Sequence, residues 1–128
     1  MYDIIFYQSP GGKSEVMEYI RELKKKKDKN SRINFNKIVA YLDLLEEMGT
    51  RIGEPVTKHL DGEIWELRPL KNRILYAYCE ENAFIILTQF RKKTQKTPAK
   101  EIERAKRYLA DYLERKRENE CKLERVSQ

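Results

Sequence analysis

Residues 91–98, Arg91-Lys92-Lys93-Thr94-Gln95-Lys96-Thr97-Pro98, pack four cations, two threonines and a glutamine into eight positions. Ammonium and guanidinium groups neutralise phosphates, and the free N–H groups of a helix start also favour them, so this composition suits a polyanion. The segment follows the apolar run Ala83 to Phe90 and ends where Thr97-Pro98 should open a helix. Its cations are therefore expected at the rim of a sheet, beside a helix N-terminus. Taken alone, a solvated, charged loop is the preferred reading of such a stretch, and matching pieces elsewhere in the chain tip the balance. Other chemistries have less support. Two cysteines, Cys79 and Cys121, and a single histidine give no zinc-ligand spacing. The carboxylates are scattered among basic residues and form no magnesium cage. Gly11-Gly12-Lys13-Ser14 lacks the first glycine of a phosphate-binding P-loop and reads as a turn opening a helix. No metal and no cofactor are expected.

Composition limits the partners. The 128 residues suffice for one core, so residues 1–128 read as a single domain. A net charge of +6 favours an anionic partner without choosing between nucleic acid, membrane surface and acidic protein. No apolar run approaches the ~20 residues that span a bilayer. Tyr2-Asp3-Ile4-Ile5-Phe6-Tyr7 lacks the basic head and long apolar stretch of a signal peptide. The chain is read as cytoplasmic, with no membrane partner.

The elements that must hold the basic segment follow from periodicity. Tyr2 to Tyr7 is rich in β-formers and is expected as a strand ended by Ser9-Pro10-Gly11-Gly12. Ser14 is the expected N-cap of a helix to about residue 27, with Val16, Tyr19, Ile20 and Leu23 on its apolar stripe. Lys24 to Lys27 complement the negative end of that helix dipole; a solvated helix end is the preferred reading there and an RNA-binding patch the alternative. A polar link, Asp28 to Asn34, precedes a second helix with the stripe Phe35, Ile38, Val39, Leu42 and Leu45, stopped by Gly49. Three strands, Ile64 to Arg68, Arg73 to Cys79 and Ala83 to Phe90, have links too short for crossovers and must form an antiparallel meander. Phe84-Ile85-Ile86-Leu87 is apolar on both faces, which marks a central strand, covered on each side or paired with residues 2–7. A last helix is expected from Thr97 as N-cap, with Ile102, Ala105, Leu109, Tyr112 and Leu113 inward and a charged tail from about 115 that should fray.

Lys58-x-Leu60-x-Gly62-x-x-Trp65-Glu66-Leu67-Arg68, then Arg73, then Phe90-x-Lys92-Lys93-Thr94-x-Lys96-Thr97-Pro98 resembles, in content and order, the RelE/ParE superfamily of type II toxins. The branch it is most similar to is the HigB-like one, also described as phage Gp49-like; the resemblance spans roughly residues 2–113. It implies an α+β, RelE-like fold: an N-terminal strand, a helical hairpin, a three-stranded antiparallel meander in one sheet and a C-terminal helix. It also implies a ribosome-dependent endoribonuclease that cuts translated mRNA and is restrained by a HigA-like antitoxin, in a complex of two toxins and two antitoxins. The antitoxin is expected mainly on the helices of residues 14–48, leaving a cleft of Lys58, Arg68, Arg73 and Lys93 partly open. The alternative on the same fold is a ParE-like gyrase inhibitor or a non-catalytic binding module.

Under that resemblance the residues can be set against metal-free RNA cleavage. The 2′-hydroxyl beside the scissile phosphate attacks, a base takes its proton, an acid protonates the departing 5′-oxygen, and cations stabilise the phosphorane. Arg68 and Arg73 suit phosphate clamping, because arginine does not readily lose its proton. Lys93 supplies the same charge from the far side. His59 can be base or acid, since an ordinary imidazole titrates near neutrality. Lys58 and Tyr76 are further catalytic candidates, and Arg91, Lys92, Gln95 and Lys96 are expected on the RNA backbone. Glu66 either orients an arginine or solvates a strand face. As polar rim residues, Arg73 and Lys93 are expected to contribute little to the core.

Overall fold

Two side-chain caps decide where the N-terminal helices begin. In the computed structural model, which describes residues 1–127 with side chains to residue 123, Ser14 Oγ accepts the Met17 N–H at 3.1 Å and opens α1 (Glu15–Lys25). Asp28 opens α2 (Lys29–Met48) in the same way, its carboxylate accepting the Ser31 N–H at 3.0 Å. Such caps satisfy donors that the first helical turn leaves unpaired. The expected polar link, residues 28–34, is thus mostly helix, because Asp28 is a cap. Gly49 ends α2 with φ 65°, as its residue type suggests. A Cβ there would lie 2.9 Å from the Tyr2 ring, so close packing as well as backbone conformation requires glycine. A short 3-10 turn (Gly49–Ile52) follows.

Five strands form one sheet: β1 (Asp3–Phe6), β2 (Thr57–Asp61), β3 (Ile64–Leu67), β4 (Asn72–Cys79) and β5 (Ala83–Arg91), in the order β1-β5-β4-β3-β2. β1 runs parallel to β5, with Ile4 opposite Phe84, and the other pairs are antiparallel. The expected meander is present, and β2 precedes it as a fourth strand. Lys58 and His59 face solvent on this edge, so β2 shows too little apolar alternation to stand out in sequence.

One face of the sheet carries Leu67, Ile74, Tyr76, Phe84 and Ile86, packed against Val16, Ile20, Leu23, Ile38, Leu42 and Leu45 of α1 and α2. The other carries Ile64, Leu75, Ala77, Ile85 and Leu87, covered by Ala105 and Leu109 of α3 (Ala99–Ser127). Each large aliphatic side chain removed from water this way contributes about 1.5–3 kcal/mol. The architecture is α+β, RelE-like, as the sequence implies. α3 starts one residue later than expected. The Pro98 carbonyl accepts the Glu101 N–H at 3.0 Å, while the Thr97 hydroxyl is drawn to Glu66 instead of capping the helix. The charged segment from residue 115, where apolar anchors run out, continues the helix. Its first residue is tied down: Arg115 bonds Asp111 at 2.6 Å and the Gln8 carbonyl, and Tyr7 donates to the same Asp111 at 2.7 Å. Among the described residues no helix is long and apolar enough to cross a membrane.

Tyr76 is fully buried between the sheet and the helical hairpin, its hydroxyl 2.6 Å from Thr57 Oγ1. Burial pushes its pKa up to about 12, against the opposing pull of the Thr57 hydrogen bond. Because the folded value lies above the unfolded one, this phenol's contribution is intact below pH ~10 and disappears as pH rises to about 12. Stability should therefore fall in that window. Tyr76→Phe should make the fall shallower by about 1.4 kcal/mol per pH unit, read by urea unfolding at stepped pH; an unchanged slope would place the phenol in water.

Candidate active site

The rim where β4 begins and β5 ends is organised by one carboxylate. Glu66, on β3, is only 2% exposed. Its Oε1 lies 3.4 Å from Arg68 Nε and 3.8 Å from Arg73 Nε, and its Oε2 accepts the Thr97 hydroxyl. A charge that is nearly dry persists only when paired, and here two guanidiniums share the task. Register, which sequence left open for Arg68 and Arg73, places both on the face that α3 covers. They meet at a single oxygen.

Arg73 is itself buried, at 7% exposure, which corrects its expected status as a rim residue of little structural weight. Its Nη1 donates to the carbonyls of Leu70 at 2.9 Å and Asn72 at 2.8 Å. Leu70 turns its carbonyl inward by adopting φ 60°, a left-handed conformation that costs a non-glycine residue roughly 1 kcal/mol. Burial pulls the Arg73 pKa below the ordinary arginine value while Glu66 opposes the shift; the group is still a cation at neutral pH. Its Nη2 has no protein hydrogen-bond partner among the described residues.

Arg73 forms one wall of a pocket of ≈460 Å³ whose other walls are Phe90, the segment Arg91–Pro98, and Lys100 and Glu101 of α3. The loop is pinned at both ends. The Lys92 N–H donates to the Lys71 carbonyl at 2.7 Å, and Thr97 is held by Glu66. Between these pins Lys92 Nζ reaches Gln95 at 3.4 Å, and Thr94 donates to the Lys96 carbonyl at 2.7 Å. Lys93 and Lys96 are exposed on the pocket wall. Of the residues singled out from sequence, Arg73, Arg91, Lys92, Lys93, Gln95 and Lys96 thus line one concavity, and Arg68 joins them through Glu66.

Three candidates lie elsewhere. His59 pairs across the strands with Trp65 and contacts its ring at 5.1 Å between centroids, on the face covered by the helical hairpin. Its Nε2 is 2.7 Å from the Gly62 carbonyl. Because side chains alternate along a strand, His59 stands on the opposite side of the sheet from Glu66 and Arg73. Tyr76 is enclosed in the core and cannot meet a substrate, a correction to its candidacy. Lys58, opposite Glu66 on the edge strand, is on the same face as Glu66 and exposed, but does not line the pocket.

Sequence reading missed the supports. Asn72, fully buried, donates to Asn34 Oδ1 at 2.8 Å and to the Pro69 carbonyl at 3.0 Å, and accepts from Tyr19 at 2.6 Å. Arg91 Nη1 reaches Asn72 at 3.4 Å and Asn34 at 3.5 Å. This network joins α1 and α2 to the turn that aims Arg73. An asparagine inside a helical stripe, Asn34, was the available signal. Lys100 was invisible as a pocket residue because the helix it belongs to had to be placed first. Among the described residues no cluster of three or more His, Cys, Asp or Glu could hold a metal ion. What the pocket offers is positive charge gathered around one concavity. Glu66→Gln keeps the shape but removes the counter-charge from a buried guanidinium, so it should destabilise the fold by about 3 kcal/mol; denaturant unfolding reads this, and a change below ~0.5 kcal/mol, the surface level, would contradict the pairing.

Comparison with curated proteins gives no match. Residues 18–110 match the phage-derived Gp49-like proteins (DUF891), a span running from α1 through the pocket into α3. The match covers well over half of the chain, and the chain belongs to the Gp49-like family, within the RelE/HigB-like toxin superfamily.

Proposed function

We propose that this chain is the toxin of a type II toxin–antitoxin pair, an endoribonuclease that enters the ribosomal A site and cuts translated mRNA. The observation that carries the reading is the pocket in which an oriented arginine with an uncommitted Nη2 faces the lysines of residues 92–96. In this mechanism the scissile phosphate occupies the pocket, with Arg73 Nη2 and Lys93 Nζ on its non-bridging oxygens. The 2′-hydroxyl attacks phosphorus and its proton passes to water. The bond to the 5′-oxygen breaks, and Lys93 hands that oxygen a proton, leaving a 2′,3′-cyclic phosphate and a 5′-hydroxyl. Most of the rate enhancement comes from charges fixed before the phosphorane forms. Arg68 acts through Glu66, as a positioning residue. Arg91, Lys92, Gln95 and Lys96 track the RNA backbone on either side.

A HigA-like antitoxin restrains the toxin in cells, in a complex with two copies of each chain. It seats mainly on α1 and α2, and α2 carries the exposed apolar side chains Ile33 and Met48. The pocket stays open, and ribosome entry is blocked sterically.

Purified toxin should cleave mRNA on programmed ribosomes, and Lys93→Ala should slow cleavage by about 100-fold, the loss of one transition-state donor, with unfolding unchanged. His59→Gln, on the other sheet face, should stay within about threefold, since surface changes away from a site are mild. Full activity of the Lys93 variant, or loss of activity in the His59 variant, would move the chemistry elsewhere. Loss of gyrase supercoiling with mRNA intact would replace the nuclease reading by the gyrase one.

A further inference from the structure

One residue on the pocket wall has the wrong charge for a phosphate. Glu101, on the first turn of α3, is the one carboxylate among the described residues that line it. Helix electrostatics favours an acid in that turn on any side of the helix. It does not account for an acid on the side of a cationic concavity, where it weakens the attraction for a polyanion. Ion pairing accounts for half of the group. Glu101 Oε2 accepts from Arg104 Nη2 at 3.0 Å, yet Arg104 already pairs through Nη1 with Glu15 of α1 and reaches the Gln89 carbonyl of β5 at 3.5 Å. Glu15 in turn accepts the Gln89 N–H at 3.3 Å. The Glu101 carboxylate is therefore held by a guanidinium fastened to two other elements. Its side chain is 16% exposed, and its Oε1 has no partner among the described residues.

The same walls carry an apolar surface. Phe90 stands directly opposite Arg73 in the β4–β5 register, so ring and guanidinium share the α3 face of the sheet. The ring is half-buried and lines the pocket together with Pro98. At ≈460 Å³ the pocket is in the size range of small-molecule sites and larger than a phosphate group requires. Single-stranded RNA is read by stacking its bases on aromatic rings and by hydrogen bonds to their edges. We propose that the pocket takes a nucleobase beside the phosphate, stacked on Phe90, with the exocyclic amine of that base donating to Glu101 Oε1. The inference rests on the RNA reading of the pocket. Adenine, cytosine and guanine carry such an amine. Uracil has a carbonyl oxygen where cytosine has its amine, and an ionised carboxylate has no hydrogen to offer it. Glu101 thus selects amine-bearing bases and disfavours uracil.

The test is binding of three 2′-O-methyl trinucleotides, which cannot be cut, to the full chain: one of adenine, one of purine lacking the amine, and one of uracil. Adenine should bind about 10- to 100-fold more tightly than purine, the effect of one hydrogen bond to a charged acceptor, and uracil no more tightly than purine. In E101Q the amide oxygen takes the Arg104 donor and an NH2 replaces Oε1. Adenine should then lose its advantage and uracil, whose carbonyl accepts, should gain. F90L should weaken all three by a common factor of about five or more, the loss of a base stack. Equal affinity for adenine and purine in the unaltered protein overturns the proposal without any variant. So does an E101Q protein that binds all three more tightly by one factor, which would make Glu101 a charge and not a reader of bases. Unchanged binding in F90L overturns it as well. Adenine selection in a protein that leaves ribosome-bound mRNA intact would keep this inference and remove the nuclease reading alone.

Discussion

A single buried carboxylate with more cations than it can neutralise is the constraint on which the rim depends. Glu66 meets Arg68 and Arg73 at one oxygen and Thr97 at the other. Removing it would strand the Arg73 guanidinium in a nearly dry site, and such a loss costs far more than an exposed pair contributes. The exposed Glu54 also reaches Arg68 at 3.9 Å, so the positive charge of the pocket comes from Arg73 and the lysines on its wall. Glu66 also holds the entrance to α3 through Thr97. Fold and charge are set by one interaction.

A second set of contacts hands the position of the helical hairpin to the rim. Asn72 is shared by Tyr19 of α1, Asn34 of α2 and Arg91 of β5. Buried amides of this kind are stabilising only when nearly every donor and acceptor is met. Helix packing that moved Tyr19 or Asn34 would therefore shift the 69–72 turn and, with it, the carbonyls that hold Arg73. An antitoxin resting on α1 and α2 would touch the rear of this network without entering the pocket.

Most of the architecture was legible because its signals are local. Ser14 and Gly49 bound their helices as their types dictate, and Phe84-Ile85-Ile86-Leu87 is the central strand that its two apolar faces imply. β2 escaped because an edge strand with Lys58 and His59 outward carries little period-two signal. The basic loop was visible as a concentration of charge beside a sheet rim, since charge density needs no tertiary information. Which residues join it was not. Lys58 and His59 are neighbours in sequence and on opposite sides of the sheet, and that is a matter of register. Tyr76 follows Arg73 by three residues and alternates away into the core. Glu66 could be noticed as a partner for one arginine; that it serves two follows only from the pairing of β3 with β4.

The proposed function requires the scissile phosphate to sit against Arg73 on the α3 side of the sheet. The most direct measurement is a crystal structure with a 2′-O-methyl RNA trinucleotide, which can bind but cannot be cleaved. A phosphate oxygen is expected about 3 Å from Arg73 Nη2 and from Lys93 Nζ, within hydrogen-bond distance, with Glu66 still on both guanidiniums. Density for the oligonucleotide beside His59 and Trp65 on the hairpin side, with the pocket empty, would contradict it.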